Sequence, residues 1–219
     1  AGAQKEFGVK IVGGDTNETS DLIISISLYG SAQNALMLRK GARTGDIVAV
    51  TGPFGKTAAG LKILMGDCKA TEKVREAVLD AVYHPNARLR EGLALRGYDF
   101  VTSSMDSSDG LAWSLHELAQ NSKIGFNIDK LPISPEVQEF AHQNGLDEAD
   151  LVFYGGEEYE LVLTIKPDKW EEAKNVIETV HGHLIPIGKA TYDKSIVYES
   201  KGKKRPIEPR GWEHFKSQI

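Results

Sequence analysis

Along most of the chain, short apolar runs alternate with longer stretches in which apolar residues recur every three or four positions. Runs near Val9–Val12, Leu22–Leu28, Ile47–Thr51, Phe100–Ser103, Gly125–Ile128, Leu161–Ile165 and Leu184–Gly188 are bounded by glycine and polar clusters and predict strands. The periodic stretches Thr57–Met65, Thr71–Val82, Ala87–Arg96, Gly110–Gln120, Pro135–Gln143 and Lys169–Val180 predict helices. In the last of these, Ala173, Val176, Ile177 and Val180 share a stripe, while Glu171, Glu172, Lys174 and Glu178 face water. Strands alternating with helices over Asp46–Ile219 predict an α/β (α+β) domain, a mixed sheet flanked by helices. The opening Gly8–Gly30 differs: two strands joined by a polar turn, without a helix between, predict the edge of a separate sheet. Ala1–Phe7 reads as the last turns of a helix that has no start signal, so a chain cut at its front is expected.

The 219 residues, 41% hydrophobic and 26% charged, are enough to bury a full core. The longest apolar stretch, around Leu22–Leu28, is broken by serines and falls short of the about 20 residues that cross a bilayer, so no membrane segment is expected. A lone Cys68 excludes a disulfide framework or a cysteine-rich metal site and favours a reducing, cytoplasmic location. With 26 basic against 31 acidic residues, a broad nucleic-acid surface is not expected. The basic run Lys201–Arg205 has no aromatic interleaving and reads as a solvated turn between strands.

Candidate chemistry lies where apolar strands end in small residues and carboxylates. In Val12-Gly13-Gly14-Asp15-Thr16-Asn17, two glycines allow close approach of a ligand and Asp15 projects beside them; an ordinary turn with Asp15 bonded to its own backbone is the competing reading. In Ser103-Ser104-Met105-Asp106-Ser107-Ser108-Asp109-Gly110, one polar residue would suffice to cap the following helix. Two aspartates three apart exceed that need and suit magnesium, which favours one or two carboxylates per ion with water and phosphate completing the shell. In Tyr154-Gly155-Gly156-Glu157-Glu158-Tyr159-Glu160, Glu157 follows two glycines as Asp15 does; a solvated acidic turn is the alternative, and Glu160 is expected to begin the next strand.

Gly52-Pro53-Phe54-Gly55-Lys56-Thr57 sits where a P-loop belongs but lacks the glycine that motif needs, since Val50 occupies its place. A compact strand-to-helix turn is expected, with Gly60 allowing close packing of the helix against the sheet. The histidines show no zinc spacing and Cys68 has no histidine beside it. Trp212, near the carboxyl terminus, reads either as an anchor for the tail or as a platform for a heteroaromatic ring.

Taken in order and spacing, Val12–Thr16, Val50–Leu64, His84–Leu95, Ser104–Leu111, Gly155–Leu161 and Gly211–Phe215 resemble the thiamine-monophosphate kinases, in the superfamily of aminoimidazole ribonucleotide synthetase and selenophosphate synthetase. Gly-Gly-Glu-Glu-Tyr-Glu-Leu with the terminal Gly-Trp-Glu-His-Phe is its most specific part. The resemblance implies direct transfer of the γ-phosphoryl group of ATP to thiamine monophosphate, with Mg2+ and without a covalent intermediate. It implies Gly14 and Asp15 as nucleotide and magnesium contacts, Arg39 on ATP phosphates, Asp106 and Asp109 as magnesium ligands and Ser108 on the nucleotide. Glu157 and Trp212 would hold thiamine monophosphate. On the same resemblance, 1–40 is the remnant of an amino-terminal ATP-binding and dimerisation domain, 41–219 is the carboxyl-terminal α/β domain, and the full-length enzyme is a homodimer. The family's aspartate-rich turn, which precedes these motifs, is missing, so this chain alone is expected to be nearly inactive. Ser107 stands where many relatives carry leucine, and Asn17-Glu18-Thr19 replaces a more usual threonine-arginine pair. A sister synthetase of the superfamily and a non-catalytic nucleotide-binding or dimerisation fragment are the alternative readings.

Overall fold

A computed structural model of the chain describes residues 2–32 and 36–211. The chain divides into two units, Ala1–Asn34 and Ala35–Ile219. The first contains helix α1 (Gly2–Phe7), as the opening sequence predicts. The two strands expected near 9–12 and 22–28 do not form: the backbone there joins no ladder. Val12, Leu22 and Leu28 are 95%, 90% and 84% exposed. An apolar run becomes a strand only when a neighbour takes its backbone hydrogen bonds and covers its side chains, and among the described residues none does so.

The second unit contains strands β1 (Ile47–Val50), β2 (Val101–Asp106), β3 (Gly125–Ile128), β4 (Leu161–Ile165), β5 (Ile185–Thr191), β6 (Ile196–Ser200) and β7 (Lys203–Pro206). Its helices are α2 (Lys56–Leu64), α3 (Glu72–Tyr83), α4 (Leu89–Leu95), α5 (Leu111–Ser122), α6 (Pro135–Asn144), α7 (Glu148–Tyr154) and α8 (Trp170–Glu178). The strands form one mixed sheet in the order β2-β4-β1-β5-β3-β6-β7, antiparallel except where β3 meets β6.

Period-two alternation loads both faces of the sheet. Val48, Val50 and Val162 join Leu111, Leu115 and Leu118 of α5 on one side, while Ala49, Leu163 and Ile165 join Ala173 and Ile177 of α8 on the other. A third cluster packs α2, α3 and α6 through Ile63, Val74, Val78, Val137 and Phe140. Gly60 does permit close packing, but against α3 rather than the sheet: a side-chain carbon there would run into the Val78 carbonyl and Val82.

Two strands and a helix depart from the expectations. Lys201 and Gly202, both with positive φ, make the two-residue turn between β6 and β7, so only the first part of the basic run is a turn and the rest pairs as an edge strand. Lysines on an exposed edge discourage pairing with other chains. Helix α7 is short and is capped by Asp147, whose carboxylate accepts the Ala149 amide.

Candidate active site

The register of β2 against β4 decides where the chemistry lies. Asp106, the last residue of β2, is opposite Leu161, the first of β4, so the segment leaving one strand meets the segment entering the other. Three backbone bonds lace them together: Ser107 N–H to Glu160 O (2.9 Å), Glu157 N–H to Ser108 O (2.7 Å) and Tyr159 N–H to Ser107 O (3.0 Å). Two of the three predicted carboxylate segments, far apart in sequence, thus form one structure.

Within it, Asp106 and Glu157 are exposed and Asp109 is partly buried. Among the described residues none of these three side chains enters an ion pair. Their charges converge on Tyr159, whose phenol is held above its ordinary range by burial and then by Glu157, Asp106 and Asp109. Neither Ser108 nor Asp109 caps α5: the cap residue is Gly110, and no side chain donates or accepts there. The capping alternative for these polar residues is therefore removed. Ser107 is fully buried, and its hydroxyl has no hydrogen-bond partner among the described residues.

Glu157, Glu158 and Glu160 go three separate ways because Glu157 and Tyr159 both adopt positive φ, 64° and 54°. Glu157 faces outward. Glu158 turns back into the start of α2, its Oε1 accepting the amides of Gly55 (2.6 Å) and Thr57 (3.2 Å). The Thr57 hydroxyl donates to Gly156 O at 2.6 Å. Burial pushes the Glu158 carboxyl up, against the pull of these donors. Glu160 precedes β4 rather than beginning it and is buried. Its carboxylate accepts from Arg88 Nε (2.7 Å), Arg88 Nη2 (2.5 Å) and the Thr51 hydroxyl (2.7 Å). The P-loop-like turn is thus a strand-to-helix turn, as expected, and its helix amides are taken by the protein's own carboxylate.

A cavity of about 240 Å³ opens beside this loop, lined by Lys56, Asp80, His84, Arg88, Glu157 and Glu158 among others. On the other side, the chain after β7 returns to the acidic segment. The Arg210 guanidinium lies 4.0 Å from the Tyr154 ring centroid, and the Glu208 amide donates to the Tyr154 hydroxyl at 3.2 Å. Gly211 packs so closely on the Asp109 carbonyl that a side-chain carbon there would collide with it. Trp212, the next residue, lies outside the described residues.

The other predicted residues stand as follows. Arg39 is exposed and pairs with Glu117 of α5 at 3.4 Å, directly after Leu38, whose carbonyl accepts the Ser104 amide of β2. Gly14 and Asp15 belong to the first unit; there Asp15 accepts from the Thr16 amide (2.9 Å) and Asn17 Nδ2 (3.1 Å), the local turn bonding anticipated as the alternative. Among the described residues no group of three or more His, Cys, Asp or Glu side chains is arranged to hold a metal ion. No helix among them is long and apolar enough to cross a membrane. Arg88, Glu158, Glu160 and Tyr159 escaped the sequence reading as parts of this site. The signal was present for one of them: a glutamate set directly against an apolar strand needs a cation once buried, and Arg88 was available.

Residues 43–200 match the family described as AIR synthase related protein, C-terminal domain. A thiamine-monophosphate kinase of Nitrosopumilus maritimus is 38% identical over 98% of this chain and 67% of its own length. The chain belongs to the thiamine-monophosphate kinase family. The family's kinase from Pyrococcus horikoshii is 34% identical over 97% of this chain and 63% of its own. Among solved structures, AaThiL complexed with AMPPCP and TMP is 30% identical, with a TM-score of 0.67 over 82% of this chain and 54% of that one. The hydrogenase maturation protein HypE of E. coli, 23% identical with a TM-score of 0.64, shares the fold. The chain spans about two thirds of the kinases' length in sequence and about half of the solved chains.

Proposed function

We propose that this chain is part of an enzyme that transfers the γ-phosphoryl group of ATP to thiamine monophosphate, giving thiamine diphosphate, with magnesium. The observation that carries this reading is the lacing of the Asp106–Asp109 segment to the Glu157–Glu160 segment, which brings Asp106, Asp109 and Glu157, none of them in an ion pair among the described residues, onto one laced structure, with Glu157 at the edge of an open cavity. Such an arrangement suits phosphoryl transfer, which asks the protein for positioning and neutralisation of charge rather than for a covalent nucleophile.

Asp106 and Asp109 fit magnesium, because that ion takes one or two carboxylates and completes its shell with water and phosphate oxygens. Bound there, it would draw negative charge off the transferring phosphoryl group. Ser108 and, from the first unit, Gly14 and Asp15 would hold the nucleotide, Asp15 also as a metal ligand. Arg39 would contact its phosphates with a guanidinium suited to paired oxygens. Glu157 would orient thiamine monophosphate, with Trp212 against its ring. In the same reading 1–40 belongs to an ATP-binding and dimerisation domain, 41–219 is the carboxyl-terminal domain, and the full-length enzyme is a cytoplasmic homodimer.

The test is phosphoryl transfer from labelled ATP, by this chain joined to the amino-terminal portion found in the relatives, with thiamine and aminoimidazole-pathway substrates as controls. Label in thiamine diphosphate that requires the monophosphate and vanishes with Asp106→Ala supports the kinase. ATP consumption with another acceptor points to a sister synthetase, and binding of nucleotide without turnover points to a non-catalytic module.

A further inference from the structure

Of the three glutamates in the loop before β4, Glu157 has a role in the proposed reaction and Glu160 has a cation. Glu158 has neither, yet its carboxylate makes contacts across 101 to 103 positions of sequence. Helix α2 brings no side-chain cap of its own, because the residue at its N-cap is Gly55, at φ 100°. The Gly55 and Thr57 amides would otherwise go unmatched at the positive end of the helix, and the Glu158 carboxylate meets both.

The same contacts fix the loop. A glutamate and a tyrosine at positive φ, either side of Glu158, hold a backbone conformation that L residues disfavour and that persists only when the surroundings enforce it. Enforcement comes from Ser107 and Ser108 carbonyls on one side and from α2 on the other. With the Glu158 carboxylate held on the start of α2, Glu157 is left exposed at the edge of the cavity.

We propose that Glu158 is a positioning residue for Glu157, its carboxylate clamping the loop onto the first turn of α2 so that the neighbouring glutamate is presented to substrate. This rests on the kinase reading above. A clamp of this kind needs an acceptor oxygen at the right reach more than it needs a charge. Glu158→Gln keeps the oxygen, whereas Glu158→Asp keeps the charge and stops one methylene short.

The test uses the chain joined to the relatives' amino-terminal portion and compares KM for thiamine monophosphate, KM for ATP, kcat, and hydrogen exchange at the Glu157 and Tyr159 amides. Glu158→Asp is expected to raise KM for thiamine monophosphate about tenfold, leave KM for ATP within about twofold, and speed exchange at both amides. Glu158→Gln is expected to stay within about threefold of the parent on every count. Glu158→Asp serves where Glu158→Ala fails to fold. Unchanged exchange in Glu158→Asp, or an equal loss for both substrates, overturns the proposal and leaves Glu158 as a helix cap alone. If the parent enzyme phosphorylates some other acceptor, the kinase reading fails, and exchange at the two amides still decides whether Glu158 clamps the loop.

Discussion

Arg88 grips Glu160 with two nitrogens, Nε on Oε2 at 2.7 Å and Nη2 on Oε1 at 2.5 Å, at the point where the carboxylate loop enters β4. The Glu160 side chain is 7% exposed and that of Arg88 24%. Thr51 completes the arrangement, donating its hydroxyl to Glu160 and accepting the Leu161 amide at 2.8 Å. Gly52 is required beside it, since a side-chain carbon there would overlap the carboxylate.

Removing Arg88 strands a buried carboxylate, which costs far more than the intact pair contributes. Arg88→Ala is expected to destabilise the fold by about 3 kcal/mol, read from denaturant midpoints at neutral pH. Arg88→Lys should recover only part of this, because an ammonium does not reproduce the two parallel bonds. A loss near zero for Arg88→Ala would mean that Glu160 finds water instead.

Two carboxylates give opposite pH signatures. Burial raises Glu158 above its usual value, so the native state prefers it protonated. Its favourable contribution is complete below the unfolded value of about 4.3 and is lost as pH rises through the raised native value. Asp147 is lowered, first by its bond to Arg205, so its contribution is present above the unfolded value of about 3.9 and is lost as pH falls through the native one. Denaturant midpoints between about pH 3 and about pH 7 should show Glu158→Gln gaining on the parent as pH rises, and Asp147→Asn losing to the parent over the same rise.

What could be read from the sequence follows from where each signal resides. Helices α5 and α8 were legible because one side of each is buried and the period records it, and strands β1 and β4 because both of their faces are buried and they read as short continuous apolar runs. Strand β7, Lys203-Lys204-Arg205-Pro206, is exposed throughout and exists only through its bonds to β6, so no burial pattern marks it. In α7, the apolar Leu151-Val152-Phe153 is continuous, without a helical period, because neighbours cover it from several sides. The carboxylate segments were legible as glycine-hinged turns. The separate tasks of Glu158 and Glu160 were not, since they depend on partners at Gly55, Thr57, Thr51 and Arg88, between 72 and 109 positions away. The expected strands of the first unit failed for the converse reason: pattern was present and pairing was not.

Ser107 offers a test of packing at the site. Its hydroxyl is buried and has no partner among the described residues, and an unmatched buried polar group is a cost of about 1 to 3 kcal/mol. Ser107→Ala removes that group with little change in volume. The variant is expected to be as stable as the parent or more stable by about 1 kcal/mol in thermal or denaturant unfolding. A clear destabilisation would show that the hydroxyl is bonded.

For Asp106, the expectation separates charge from shape. Asp106→Asn preserves the size of an exposed side chain at the end of β2 and should leave the unfolding midpoint unchanged. In the kinase reading it should lower kcat at least about 100-fold, the scale seen when one electrostatic contact to a transition state is lost. Equal kcat in parent and variant would take Asp106 out of the metal site.

Gly110 joins the acidic segment to α5 at φ 109° and ψ 158°, a conformation open in practice to glycine alone. A side-chain carbon there would also stand 2.9 Å from the Gly155 carbonyl oxygen and 3.2 Å from that of Phe153. Both are backbone carbonyls of the stretch that ends α7, so neither yields by a rotamer change. Gly110→Ala must therefore push the Asp106–Asp109 segment away from the Glu157 loop, breaking the lacing that brings the carboxylates together. The expected result is a loss of about 2 kcal/mol or more in stability. Tyr159 provides the readout at the site itself: its phenol, raised first by burial and then by Glu157, Asp106 and Asp109, should titrate somewhat closer to the usual tyrosine range once the two aspartates draw back, measured by ultraviolet absorbance against pH. An unchanged Tyr159 titration in a folded Gly110→Ala protein would mean that the two segments hold together without this close contact.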